Sequence, residues 1–160
     1  MTQLAHEDRP SAEPLYDVVR RIRPLYRSLV ATVEHRLAGT GATVGSWGVL
    51  ERLSEAGPQT VPQIARALGV GRQFIQRVVD ASVTEGLVEL ELNPLHLRSS
   101  LVDLTPHGRS TFRHVFTEEQ RVLRRAVLGL DPRDVRACIR VLDHLTRAFD
   151  DVAQRGRARS

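Results

Sequence analysis

The chain has 160 residues, 41% of them hydrophobic and 26% charged, enough to bury one core of ordinary domain size and unlike a membrane protein or a disordered tail. A net charge of +4 favours an acidic partner without identifying one, and the exclusive use of Arg over Lys for all 23 cationic positions reflects coding bias more than function. The single cysteine excludes an intrachain disulfide and the CxxC pairs of structural zinc or redox sites.

The opening segment MTQLAHEDRP has no cationic stretch followed by an apolar run, and no run of about 18 apolar residues follows it. Neither a secretory signal nor a spanning helix is expected, and a cytoplasmic location is. Residues 1–13 mix Pro, Ser and charge without periodicity and read as a flexible arm. From Leu15 to Leu37 apolar residues recur at steps of three and four, the mark of an amphipathic helix. Pro24 should kink or split it, and Gly39 and Gly41 close it.

ATVGSWGVLERLSEAGP predicts a second helix, capped by Thr43, with Val44, Trp47, Leu50 and Leu53 inward and Gly57-Pro58 as its stop. TVPQIARALG predicts a short third helix with Thr60 as cap, Pro62 in the first turn and Gly69 at its end. Only Val70 and Gly71 separate it from a fourth helix running from Arg72 to about Glu85, the spacing of a helix-turn-helix. That helix should bury Ile75, Val78, Val79, Ser82 and Val83. LVELEL and SSLVDL alternate with period two and are joined by NPLHLR, which predicts a β-hairpin. Thr105-Pro106 and Asp131-Pro132 then open two further helices. The first has Phe112, Phe116, Val122, Leu123 and Val127 on its apolar side. The second carries Val135, Cys138, Ile139, Leu142, Leu145, Phe149 and Val152. No repeat of about 20 to 50 residues is present, which argues against a solenoid.

The fourth helix poses the functional question. Arg72, Gln73, Gln76 and Arg77 occupy positions i, i+1, i+4 and i+5, one face of its first two turns. Arg can grip guanine O6 and N7, and Gln can grip adenine N6 and N7, each good pair contributing about 1 to 3 kcal/mol of discrimination. A solvated polar face is the plain alternative, and the hairpin just downstream argues for DNA. No nucleophile elbow, phosphate-binding glycine loop, HExxH or paired carboxylates are present, so an enzyme is not expected.

In fixed order, TVGSWGVL, TVPQIARALGVGRQFIQRVVD, GLVE, NPLHLRS and LVDLTPHG resemble the multiple-antibiotic-resistance regulator (MarR) family of bacterial winged-helix transcription factors. The likeness covers about Thr43 to Gly108, and the flanking helices agree in position and pattern. It implies a mostly α fold with a small β-hairpin wing, a winged helix-turn-helix flanked by N- and C-terminal dimerisation helices. The implied regions are a dimerisation helix over 14–41, a DNA-binding domain over 42–104 with its recognition helix at about 72–85 and wing at about 87–104, C-terminal dimerisation helices over 105–153, and a basic tail over 154–160.

The resemblance also implies a homodimeric regulator, a repressor more readily than an activator, on a palindromic double-stranded operator. Arg72, Gln73, Gln76 and Arg77 would enter the major groove. Arg98 would reach a narrow minor groove, His96 the phosphates, and Asp80 could pair with Arg98 to orient the wing. A small aromatic or anionic effector would meet Tyr26, Arg27, His35, Trp47 and His107, and no cofactor is implied. Three positions depart from the family's pattern: Gly71 where a hydroxyl N-cap is common, Leu95 and Leu97 in a wing that is often polar, and Ser46 where Gln is frequent. Cys138 lies between Val135 and Leu142, so burial is expected to keep its thiol inert. A metal site assembled from Glu34, His35 and His107 is a weaker alternative. So is the same fold bound to a protein instead of DNA.

Overall fold

The computed structural model describes residues 12–94 and 99–157. The elements run α1 (Ala12–Leu37), α2 (Val44–Ala56), α3 (Val61–Leu68), α4 (Arg72–Thr84), β1 (Val88–Leu92), β2 (Ser100–Leu104), α5 (Pro106–Ala126) and α6 (Pro132–Arg157). They fall into two compact units, residues 1–116 and 117–160, so the division lies within α5. No helix among the described residues is long and apolar enough to cross a membrane.

The first unit is built on Leu50 and Leu53 of α2, Ile64 of α3, Ile75 and Val79 of α4, Leu87, Val102 and Leu104 at the hairpin base, and Phe112 and Val115 of α5, all buried. Full burial of one such aliphatic side chain contributes about 1.5 to 3 kcal/mol. Local chemistry sets the helix boundaries around this core. Thr43 Oγ1 accepts from the Ser46 N–H at 3.1 Å while Ser46 Oγ accepts from the Thr43 N–H at 2.8 Å, a reciprocal cap on α2. Ser46, a departure from the family pattern, is thus buried as a capping residue. Thr60 N–H donates to Gln63 Oε1 at 2.8 Å at the start of α3. Gly69 ends α3 in the left-handed region, φ +66°, a conformation that favours glycine.

Several expectations are corrected. Of the kink or split expected at Pro24, the split is absent: Pro24 lies inside the continuous helix α1. It removes a single donor, and the freed Arg20 carbonyl lies on an exposed stretch where water can satisfy it. Val83 is exposed, whereas Ser82 is buried with its hydroxyl donating to the Val78 carbonyl at 2.8 Å. In β1 only Val88 is buried, and Leu90 and Leu92 on the same face are exposed, because the hairpin extends past the edge of the small core.

The two strands are antiparallel, from Val88 opposite Leu104 to Leu92 opposite Ser100. Gln59 adds a single bridge to Val102, with its N–H donating at 3.1 Å and its carbonyl accepting at 2.8 Å. At the junction with α5, Thr105 Oγ1 donates to the Gly86 carbonyl at 2.6 Å and accepts from the Gly108 N–H at 3.0 Å. Gly108 lies so close to the Leu87 carbonyl that a Cβ would sit 1.9 Å from its oxygen.

In the second unit, α6 opens with Asp131 Oδ1 accepting from the Arg133 N–H at 2.7 Å. Val122, Leu123, Val127, Leu128 and Leu130 at the end of α5 and beyond, and Val135, Ile139, Leu142, Phe149 and Val152 on α6, are exposed. Cys138 is exposed as well. Its expected burial is not met within a single chain, because the apolar row that flanks it is itself uncovered.

Candidate nucleic-acid interface

Helix α4 is held by one side and free on the other. Ile75, Val79 and Ser82 anchor it in the core, and a rotation of about 100° per residue sets Gln73, Arg77 and Asp80 opposite that anchor. Arg72 and Gln76 lie on one flank of this outward row; Phe74, Val78 and Ala81 lie on the other. Arg72, Gln73, Arg77 and Asp80 are exposed and Gln76 is half-buried. The four predicted readers therefore share one broad surface, at the N-terminal half of the helix that follows the tight α3–α4 turn.

The helix starts without a side-chain cap. Gly71 is the N-cap, in extended backbone at φ −67° and ψ 139°, so the first N–H groups of α4 are left for water or an incoming anion. Gln76 Nε2 donates to Asp80 Oδ1 at 2.9 Å. The partner predicted for Asp80, Arg98, lies outside the described residues, as do His96, Leu95 and Leu97.

The hairpin below the wing tip is firmly seated. Asp103, buried on β2, accepts from Arg109 Nη2 at 2.6 Å and from the Leu104 N–H at 2.7 Å. Asn93 Nδ2 donates to Ser99 Oγ at 3.0 Å across the neck of the connection. Arg52 Nε donates to Gln59 Oε1 at 2.9 Å beside the bridge to Val102.

The residues predicted to meet an effector are not gathered by this unit into one pocket. Tyr26, Arg27 and His35 are exposed on α1, and His107 is exposed in the first turn of α5. Trp47 is buried, its ring stacked on Phe112 at a centroid distance of 5.0 Å, with Phe116 next in the stack at 5.4 Å. It serves the core. A cavity of about 220 Å³ lies instead along the Phe74–Val78–Ala81 flank of α4, lined also by Arg77, Gly41 and Thr43. Sequence reasoning missed Phe74, whose exposed ring breaks no helical period and carries no signal of its own. Among the described residues no three His, Cys, Asp or Glu side chains converge on a metal position.

Comparison with known proteins decides the family. A sequence profile described as MarR family matches residues 40–99. The solved structure of a MarR family transcription regulator is 35% identical, with a TM-score of 0.77 over 89% of this chain and 95% of that one. The chain belongs to the MarR family. An uncharacterized protein of Mycobacterium tuberculosis is 39% identical over 100 residues, 62% of this chain and 69% of its own. Two more distant structures share the fold. One is Staphylococcus aureus MarR in complex with salicylate and kanamycin, 16% identical, TM-score 0.74, covering 87% and 94% of the two chains. The other is Streptococcus pneumoniae FabT in complex with DNA, 14% identical, TM-score 0.73, covering 86% and 99%. This MarR-family chain is a transcription regulator and not an enzyme, and its mostly helical fold with one antiparallel hairpin is the winged helix that the sequence motifs imply.

Proposed function

We propose that this MarR-family regulator acts in the cytoplasm as a homodimeric repressor that binds a pseudo-palindromic operator and is released by a small molecule. The observation that carries the reading is α4. Its rear is locked into the core by Ile75 and Val79, and its front offers Arg72, Gln73 and Arg77 to solvent beside the half-buried Gln76. A rigid helix with Arg and Gln on its first two turns suits the major groove. Arg98 and His96 would add contacts from the wing to an adjacent minor groove and its phosphates. FabT, which shares the fold, was solved with DNA.

One such module spans too few base pairs for a genomic address. A two-fold dimer places two recognition helices in successive major grooves one turn apart, and its operator is an imperfect palindrome. The exposed apolar residues of α1 and α6, among them Leu25, Leu29, Ile139 and Phe149, are the surface that dimerisation would cover. For the effector we favour a small aromatic or anionic compound. Tyr26, Arg27, His35 and His107 would be its contacts, while Trp47 stays in the core stack with Phe112. The S. aureus relative was solved with salicylate, a compound of that kind. A coupling of about 1 to 3 kcal/mol between the two sites would empty the operator.

The test is selection of bound sequences from a random duplex pool, followed by titration of the winner and a scrambled duplex at two salt concentrations. A palindromic consensus bound well above scrambled DNA, with affinity falling as salt rises, is expected. Absence of enrichment, with weak and salt-insensitive binding, would overturn the reading in favour of a protein partner.

A further inference from the structure

The amide of Gln76 has a fixed sense. One of its two N–H bonds goes to Asp80 Oδ1 at 2.9 Å, and an ionised carboxylate only accepts, so the amide nitrogen and not the oxygen must face Asp80. The carboxylate stands on the outward row of α4 one turn beyond Gln76 and is exposed. The amide edge left for a ligand is therefore one N–H and the carbonyl Oε1.

That edge matches one purine and not the other. Adenine offers N7 as acceptor and N6–H as donor, which pair with the N–H and Oε1 respectively. Guanine offers two acceptors, N7 and O6. An unrestrained Gln can turn both N–H bonds toward them, whereas a Gln with one N–H committed meets guanine with a single donor and an opposing lone pair. The Asp80 carboxylate adds repulsion toward the same two guanine acceptors.

We propose that Asp80 is a positioning residue that makes Gln76 an adenine reader, acting through the amide and not through contact with the base. The inference rests on α4 being the groove helix. Asp80 is exposed at the helix surface, so its replacement leaves the core untouched.

The experiment is competitive selection with the full-length chain and its Q76A, D80A, D80N and D80E variants, read as the adenine-to-guanine ratio at every operator position, together with the salt dependence of binding. The wild type is expected to prefer adenine at one position in each half-site, and Q76A to flatten that position. Asp80→Ala and Asp80→Asn should lower the same ratio by about twofold, the scale of an exposed side-chain pair four residues apart on a helix, with an unchanged salt slope because no phosphate contact is lost. Asp80→Glu, which keeps a carboxylate within reach, should retain the preference.

Adenine preference that survives in D80A and D80N overturns the proposal. So does a change confined to the flanking minor-groove positions, which would mark Asp80 as a support for the wing. If Q76A alters no position while a palindrome is still selected, Gln76 is not a reader and the proposal fails while DNA recognition stands. Loss of any selected palindrome in the wild type would instead be failure of the functional reading itself.

Discussion

Gly108 shows how much a single backbone contact can govern. The first turn of α5 passes against the Leu87 carbonyl, and a Cβ there would lie 1.9 Å from the oxygen and 2.9 Å from the carbonyl carbon. Backbone cannot swing aside as a flexible side chain can, so Gly108→Ala should destabilise the first unit by about 1 to 3 kcal/mol or more. A urea titration would show it as a lowered midpoint with an unchanged slope. The proposed readers on α4 belong to the same scale and are tested on a different observable. Arg72→Ala should relax base preference at one position, because its proposed bidentate guanine contact is lost, and should leave stability within about 0.5 kcal/mol of wild type. Arg98→Ala should weaken all duplexes alike and lower the salt slope by about one. Equal effects of the two changes on operator and random DNA would refute this division of labour. The shared outward surface of Arg72, Gln73, Gln76 and Arg77 was legible in the sequence because Arg and Gln at helical spacing follow a recognisable turn. Phe74 was not, since its placement depends on what α2 puts beside it: its ring tip lies 3.8 Å from where a Cβ on Gly45 would stand.

At the scale of elements, the winged helix is held by local caps and a few cross-links. α2 and α3 begin with side chains that satisfy their first donors, and α4 begins with Gly71, which satisfies none. The extended backbone at Gly71 suits serine, and open space surrounds the position of its missing Cβ. Gly71→Ser should therefore raise stability by about 0.5 to 1 kcal/mol, through an added cap bond and a less flexible unfolded chain. Thermal unfolding would check it, and a lower melting temperature would mean that the hydroxyl finds no N–H to accept from. The hairpin depends on Asp103, which joins β2 to α5 through Arg109. Capping residues, turn glycines and strand alternation all made the elements readable in order. The bridge between Gln59 and Val102 and the pair between Asp103 and Arg109 were not readable, because a lone bridge and a pair six residues apart across an element boundary leave no periodic trace. Strand alternation also overstated burial in β1, since it reports which face a residue takes and not whether core lies under that face.

At the scale of the whole molecule, apolar side chains of α1, α5 and α6 stand exposed. Along α6, Val135, Ile139 and Leu142 recur at steps of four and three, and all are exposed in the single chain. If that row is the seam of a homodimer, Ile139→Glu with Leu142→Glu should give a species near the chain mass of 17.9 kDa, where the wild type runs at twice that. The charged pair should also abolish preference for a palindrome, because two linked half-sites lose their linkage. Light scattering and operator titration read the two outcomes separately, and a monomeric wild type that still binds a palindrome tightly would refute the dimer reading. Cys138 shares this row, and its exposure in one chain follows from the same lack of cover.

The sequence by itself determined the order and type of the elements, the family, and the identity of the side chains on the outward face of α4. Each of these is written in local pattern: spacing, caps, and turns whose chemistry acts over a few residues. Tertiary structure alone decided the rest. It put Trp47 into an aromatic stack with Phe112, laid Gly108 on the Leu87 carbonyl and opened a cavity along the Phe74 flank of α4. It also showed that Gln76 spends an amide proton on Asp80. Those outcomes depend on which distant surfaces meet and which rotamers survive the meeting, and packing of that kind is a property of the folded chain and of no segment within it.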